Sequence, residues 1–190
     1  MPELPDVQVF KELVDATSLH RRVENLMLRQ ELVEETDPQT IRDHLRGSHL
    51  TETRRHGKHL FVHIDDNGWL RLHFGMTGDL VSYSKGDEPK YTQLRIDFDD
   101  GSHLAYSSKR KFGTISWVGD VEQFIEDHEL GPDATNDLDL DRFGRVLAQR
   151  RGSIKGTLMN QEALAGLGNV YVDAILFQAG IRPRSDTATG

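Results

Sequence analysis

The chain of 190 residues contains no cysteine. That excludes disulfide staples, thiolate nucleophiles and cysteine-ligated zinc within these residues. No segment approaches the roughly 18 consecutive apolar residues that a membrane-spanning helix needs. The first residues also lack the basic-then-apolar pattern of a secretion signal. An intracellular protein without a membrane partner is therefore expected. Positive charge is the scarcer sign: 23 Lys and Arg stand against 31 Asp and Glu, for a net charge of −8. This argues against wholesale coating by nucleic acid, and still allows a basic groove on an acidic body. With 36% hydrophobic and 28% charged residues, the composition is that of a soluble globular chain. At this length it can hold one medium domain or two small ones, with a core that needs no staples.

Apolar periodicity divides the chain in two. Asp6 to Leu19 reads as a helix with Phe10, Leu13 and Val14 on one face, and Val23 to Arg29 reads as a strand. Asp37-Pro38 starts a second helix that Gly47 stops. The period then changes to two. Leu60, Val62 and Ile64 alternate with His59, Phe61 and His63, and Asp66-Asn67-Gly68 turns into Trp69, Leu70, Leu72 and Phe74. Leu94, Ile96 and Phe98 lead through Asp99-Asp100-Gly101 to Leu104 and Tyr106, and Thr114 to Val118 is a further strand. Asn-Gly and Asp-Gly between alternating runs are strong hairpin signals. Ser84 to Pro89 reads as a flexible surface loop. Beyond Gly119 the pattern is helical: Val121 to Leu130, a stretch around Leu140 to Leu147, Ile154 to Leu158 and Val170 to Gln178. The polar end, Arg184 to Gly190, is expected to fray.

Several segments carry chemistry. Met1-Pro2-Glu3-Leu4-Pro5 would expose a secondary amine beside a carboxylate once Met1 is removed. An α-amino group titrates near ~8 against ~10.4 for Lys, so more of it is a neutral nucleophile at physiological pH. Many chains start Met-Pro, however, and termini often fray. Gly166-Leu167-Gly168-Asn169 places a glycine-rich turn before a helix. Such a helix start can hold a phosphate on its N–H groups, or the Asn can be no more than a cap. Met76, in His73-Phe74-Gly75-Met76-Thr77-Gly78, is either loop packing or an apolar wedge for a base stack. Lys109-Arg110-Lys111-Phe112-Gly113 mixes three cations with one aromatic, which suits phosphate neutralisation with stacking or an ordinary solvated hairpin end. Arg54-Arg55-His56-Gly57-Lys58 and Arg150-Arg151-Gly152-Ser153-Ile154-Lys155 are two further basic clusters, the first readable also as an exposed, charged strand start. The histidines show no ligand spacing, and no metal site is expected.

The order of these segments, with Leu130-Gly131-Pro132-Asp133 and Ile175 to Pro183, resembles the formamidopyrimidine-DNA glycosylase / endonuclease VIII family over essentially the whole chain. The resemblance implies a base-excision DNA glycosylase with abasic-site lyase activity, acting on oxidised bases in double-stranded DNA. Position by position it implies that Pro2 is the nucleophile at C1′ and Glu3 the acid/base that protonates the sugar. Lys58 would be a strand-borne lysine near the damaged base. Met76, Arg110 and Phe112 would fill the gap left by the extruded base, and Lys155 and Asn169 would hold phosphates. The physics agrees, since chemistry on a base needs extrusion and extrusion leaves a hole.

One position and one short segment depart from the family pattern. The family usually has Glu where this chain has Asp6, and Asp-Pro-Arg-Arg-Phe-Gly where it has Ser108 to Gly113, which leaves that hairpin's geometry open. Family members also continue for about a further domain's length, often with a zinc finger. The expected fold class is α+β: a two-layer antiparallel β-sandwich with an N-terminal helix, then a small helix-two-turn-helix region. Residues 1–119 would form the catalytic domain and 120–190 the start of a DNA-binding domain, incomplete here. No cofactor is expected in these residues, and the protein is expected to be a cytoplasmic, nucleoid-associated monomer. The alternative left open is a non-catalytic relative or fragment that binds damaged DNA without turnover.

Overall fold

The computed structural model describes residues 1–65, 67–84, 86 and 88–187. Asp66 of the first expected turn, Lys85 and Asp87 of the expected surface loop, and residues 188–190 of the expected tail lie outside them. Two compact units form. The first comprises Met1–Arg55 with His59–Val121; the second comprises His56–Lys58 with the residues from Glu122 onward.

In the first unit, α1 (Leu4–Thr17) starts two residues before the expected Asp6, because Pro5 sits in the first turn, where its missing N–H costs nothing. The strands are β1 (Val23–Leu28), β2 (Leu50–His56), β3 (His59–Ile64), β4 (Trp69–His73), β5 (Gly78–Tyr83), β6 (Thr92–Phe98), β7 (His103–Ser108) and β8 (Thr114–Val118). They form two four-stranded sheets of order β1-β6-β7-β5 and β2-β3-β4-β8. The expected sandwich is thus present. The predicted hairpins are in register: Leu60 opposes Leu72 and Val62 opposes Leu70 across β3–β4, while Ile96 opposes Leu104 across β6–β7. β2 and β5 had no periodic signal, since β2 (LTETRRH) is almost wholly polar and β5 begins at a glycine.

The inner faces of both sheets share one core that includes Leu50, Leu60, Val62, Leu70, Leu72, Leu94, Ile96, Leu104 and Tyr106. A void of about 10 Å³ lies within this core, lined by Leu50, Val62, Leu80 and Tyr106 among others. α1 lies against β5 and β3, and α2 (Pro38–Leu45), capped by Asp37 on the Gln39 N–H at 2.8 Å, lies against β1 and β8.

The second unit holds α3 (Val121–Asp127) from its second residue on, with α4 (Leu140–Ala148), α5 (Ile154–Met159) and α6 (Asn169–Ala179). α3 stops short of the expected Leu130. Glu129 takes a left-handed φ of 50°, and the Leu130 N–H closes on the Ile125 carbonyl at 3.0 Å, a Schellman-type end. Ile154, Leu158, Leu164, Val172 and Leu176 form this unit's own core, with Phe143 and Leu147 packed on it.

Because Leu72 is 1% exposed between the sheets, Leu72→Ala removes three buried carbons that little can replace. A loss of about 2–5 kcal/mol in unfolding free energy is expected, read as a lowered midpoint with unchanged slope in urea titration.

Candidate functional site

The first unit brings two turns together. One, Phe74 to Thr77, links β4 to β5; the other, Lys109 to Gly113, links β7 to β8. Three glycines permit the approach. Gly75 has φ +56°, and a Cβ there would collide with the Phe112 backbone. A Cβ on Gly113 would strike the Tyr106 hydroxyl, and one on Gly78 the Phe74 carbonyl. The Arg110 N–H donates to Thr77 Oγ1 at 3.1 Å, and Tyr106 donates to the His73 carbonyl at 3.2 Å. Beneath the turns, Phe10 of α1 packs on Phe74 at 4.5 Å, and Phe74 meets Tyr106 edge-on at 5.4 Å.

The result is an exposed cluster of unlike side chains. Met76 is 43% and Phe112 56% exposed, and the Arg110 guanidinium lies 5.2 Å from the Phe112 ring centre. Two neighbouring cations are engaged elsewhere. Lys109 sits 5.9 Å from the Tyr91 ring, and Lys111, at φ +54°, pairs with Glu31. That hydrogen bond and charge hold the Glu31 carboxyl below its ordinary range. The hairpin geometry that the sequence left open is therefore a tight turn with Arg110 and Phe112 outward and Lys111 folded back.

Pro2 and Met76 line one open cavity of about 320 Å³, together with Met1, Asp6, Phe10, Thr77 and Gly78. Glu3 beside it is 1% exposed and caps α1. The Asp6 carboxylate accepts from the Glu3 N–H at 2.8 Å. One methylene less than Glu at this position therefore still reaches the backbone it must hold.

The second unit carries Lys58, Lys155 and Asn169. Lys58 occupies the two-residue turn between β2 and β3, a correction to its expected place on a strand. Its neighbour Gly57 is buried, donating its N–H to Asp133 Oδ2 at 2.7 Å, with no room for a Cβ beside Ala165. The charged strand start expected at Arg55 and His56 is buried as well, at 8% and 9% exposure; Arg55 Nε donates to Gln8 at 3.0 Å and the His56 ring meets the Gly131 carbonyl at 2.9 Å. Lys155, in the first turn of α5, pairs with Asp173 of α6 at 2.7 Å. Asn169 is the first residue of α6 and exposed; Gly168 is the N-cap and brings no side chain of its own. Asn169 is thus helical, where the sequence set it before the helix. Gln161, which sequence reasoning passed over, clamps this entry. Its amide donates to the Met159 and Leu167 carbonyls at 2.8 and 2.9 Å and accepts from the Gly166 N–H at 3.0 Å. Nothing in a lone Gln before a glycine turn signals that role.

Among the described residues, no three His, Cys, Asp or Glu side chains converge as metal ligands, and no helix is long and apolar enough to cross a membrane.

Residues 1–115 match the model of the formamidopyrimidine-DNA glycosylase N-terminal domain, and residues 130–189 match that of the formamidopyrimidine-DNA glycosylase H2TH domain. The chain belongs to the formamidopyrimidine-DNA glycosylase family. It is 34% identical over 189 residues to a formamidopyrimidine-DNA glycosylase of Geobacter metallireducens, covering 96% of this chain and 69% of that one. It is 32% identical over 188 residues to that of Desulfitobacterium hafniense, covering 96% and 68%. Its structure is similar to Lactococcus lactis Fpg in a complex with DNA containing an abasic site. There the TM-score is 0.91 at 27% identity, over 99% of this chain and 70% of that one.

Tyr106 allows a test of how the two turns are supported. Burial pushes its phenol up to about 12, against ~10 in an unfolded chain. The folded state thus holds this proton more tightly than the unfolded one. The stabilisation is complete below pH ~10 and is lost as pH rises toward about 12. Tyr106→Phe should flatten the fall in stability across that window, measured by urea titration at stepped pH, at the cost of the bond to His73.

Proposed function

We propose that the chain is a base-excision-repair DNA glycosylase with abasic-site lyase activity, acting on oxidised bases in duplex DNA through the amine of Pro2. The observation that carries this reading is the cavity shared by Pro2 and Met76, beside a buried Glu3, in a chain of this family. Chemistry on a base and filling of the space it leaves would then sit side by side.

In this reading Met1, 54% exposed, is removed. The free amine of Pro2 attacks C1′ of the damaged nucleotide. The C1′–N glycosidic bond breaks and the base leaves, taking up the proton that the Pro2 nitrogen gives up, and Glu3 protonates the ring oxygen as the sugar opens to an iminium. Loss of the proton at C2′ then expels the 3′-phosphate and cuts the strand, and water frees the enzyme. Holding amine and carbon together supplies much of the acceleration, and proton transfer from a positioned carboxyl typically adds ~10²–10⁴-fold. Met76, Arg110 and Phe112 would occupy the vacated stack. Lys58 would lie near the lesion, and Lys155 and the Asn169 helix start would hold phosphates. We read residues 1–119 as the catalytic part and 120–190 as the start of the DNA-binding part. The protein would act as a monomer in the cytoplasm at the nucleoid, with no cofactor in these residues.

Glu3→Gln separates chemistry from recognition. Release of an oxidised purine should fall by ~10²–10⁴, while affinity for abasic DNA measured by fluorescence anisotropy changes little. A parallel fall in both would make Glu3 a structural cap and overturn its assigned role.

A further inference from the structure

Arg71 lies in the middle of β4 between Leu70 and Leu72, and it is 4% exposed. A charge between apolar residues on a strand ordinarily faces solvent. This one is buried on the sheet face opposite the shared core. Burying a guanidinium is costly unless its donors are used well. Here three of its nitrogens donate to three side chains: Nε to Ser116 Oγ at 2.7 Å, Nη1 to His59 Nδ1 at 3.2 Å and Nη2 to Thr114 Oγ1 at 3.1 Å. Burial lowers the Arg71 pKa, and the carboxylates of Glu35 and Glu34 oppose that.

The acceptors stand at particular places in the chain. Across the sheet, His59 opposes His73 and His73 opposes Thr114, so the three form one row over β3, β4 and β8. The His59 and His73 rings are 5.0 Å apart. His73 is the last residue of β4 before the Met76 turn, and Thr114 is the first of β8 after Phe112 and Gly113. Arg71 reaches across from the adjacent row, Phe61–Arg71–Ser116, to both ends of this one.

We propose that Arg71 is a positioning residue, whose guanidinium fixes the His59–His73–Thr114 row and through it the relative placement of the turns carrying Met76 and Phe112. This rests on the reading of those side chains as occupants of the vacated base stack. Arginine has donors only, so His59 Nδ1 must accept, and the imidazole is held as its Nε2–H tautomer. Lysine cannot reproduce the three-way fork. The role is one of geometry: Arg71 touches no reacting atom.

The test uses the 190-residue chain and a duplex with a tetrahydrofuran abasic analogue opposite 2-aminopurine, whose fluorescence rises when side chains enter the gap. A natural abasic site in the same context gives kcat and KM for cleavage. Thr114→Val deletes one acceptor at constant size, and Thr114→Ser keeps it. Thr114→Val should lower kcat and the saturating 2-aminopurine signal together, kcat by roughly tenfold, the scale of one hydrogen bond to a charged group. KM should change less than kcat, and Thr114→Ser should stay near wild type. Arg71→Met should do at least as much as Thr114→Val, without rescue by Arg71→Lys. If the Arg71 variants do not fold, the two Thr114 variants decide. Variants that lose melting temperature but keep kcat and signal per folded molecule overturn the proposal. Wild type that neither cleaves nor perturbs the probe refutes the functional reading instead. The geometry is then judged by nitrogen NMR of His59: a single Nε2–H tautomer that becomes mixed in Arg71→Met, or in Thr114→Val if Arg71→Met does not fold, supports it, and an unchanged tautomer overturns it.

Discussion

The exposed placement of Met76, Arg110 and Phe112 depends on how closely two turns approach above Tyr106. The Met76 turn and the Phe112 turn meet backbone to backbone, and only glycine fits at 75, 78 and 113. At Gly75 two demands coincide, a left-handed φ and the absence of a Cβ. The hydroxyl of Tyr106 and the ring of Phe74 then serve as a floor, tying the turns to the sandwich core and to Phe10 of α1. A rigid scaffold carrying exposed, chemically unlike side chains on loops is the usual division of labour in a functional site.

The N-terminus is held by a similar economy of atoms. Glu3 is withdrawn from solvent at the start of α1, and Asp6 fixes its backbone. Pro2, half-buried, is thereby presented to the cavity that Met76 also lines. In the second unit the phosphate-holding candidates are arranged by partners of their own. Asp173 steadies Lys155, and Gln161 shapes the turn ahead of Asn169. Exposed ion pairs of this kind contribute little to stability, about 0–1 kcal/mol, so the Lys155–Asp173 pair costs little to break.

Much of this was legible in the residues because local rules and tertiary structure agreed. The β3–β4 and β6–β7 hairpins carry both a period of two and a glycine turn, and they fall where the pattern puts them. The motifs rich in glycine could be noticed for the same reason, since glycine marks backbone that no other residue can follow. What was not legible depends on burial of polar groups. β2 pairs in a sheet although its sequence is LTETRRH. Arg71 reads as a solvent-facing alternation and is buried instead, because Ser116, His59 and Thr114, far away in sequence, supply its acceptors. Lys58, which the family resemblance implies is strand-borne, lies in a turn instead; the hydrogen bond from Gly57 to Asp133, across 76 positions, fixes that turn. Gln161 and the Schellman end at Glu129 belong to the same class of long-range or cap geometry.

The central claim is that the amine of residue 2 performs the chemistry. It is tested most directly by trapping the protein on abasic-site DNA with borohydride and sequencing the cross-linked peptide by mass spectrometry. The account predicts a reduced adduct on Pro2 of chains that have lost Met1, and none when Met1 is retained or the terminus is blocked. An adduct of equal yield on a blocked chain, mapped to a lysine such as Lys58, would contradict it.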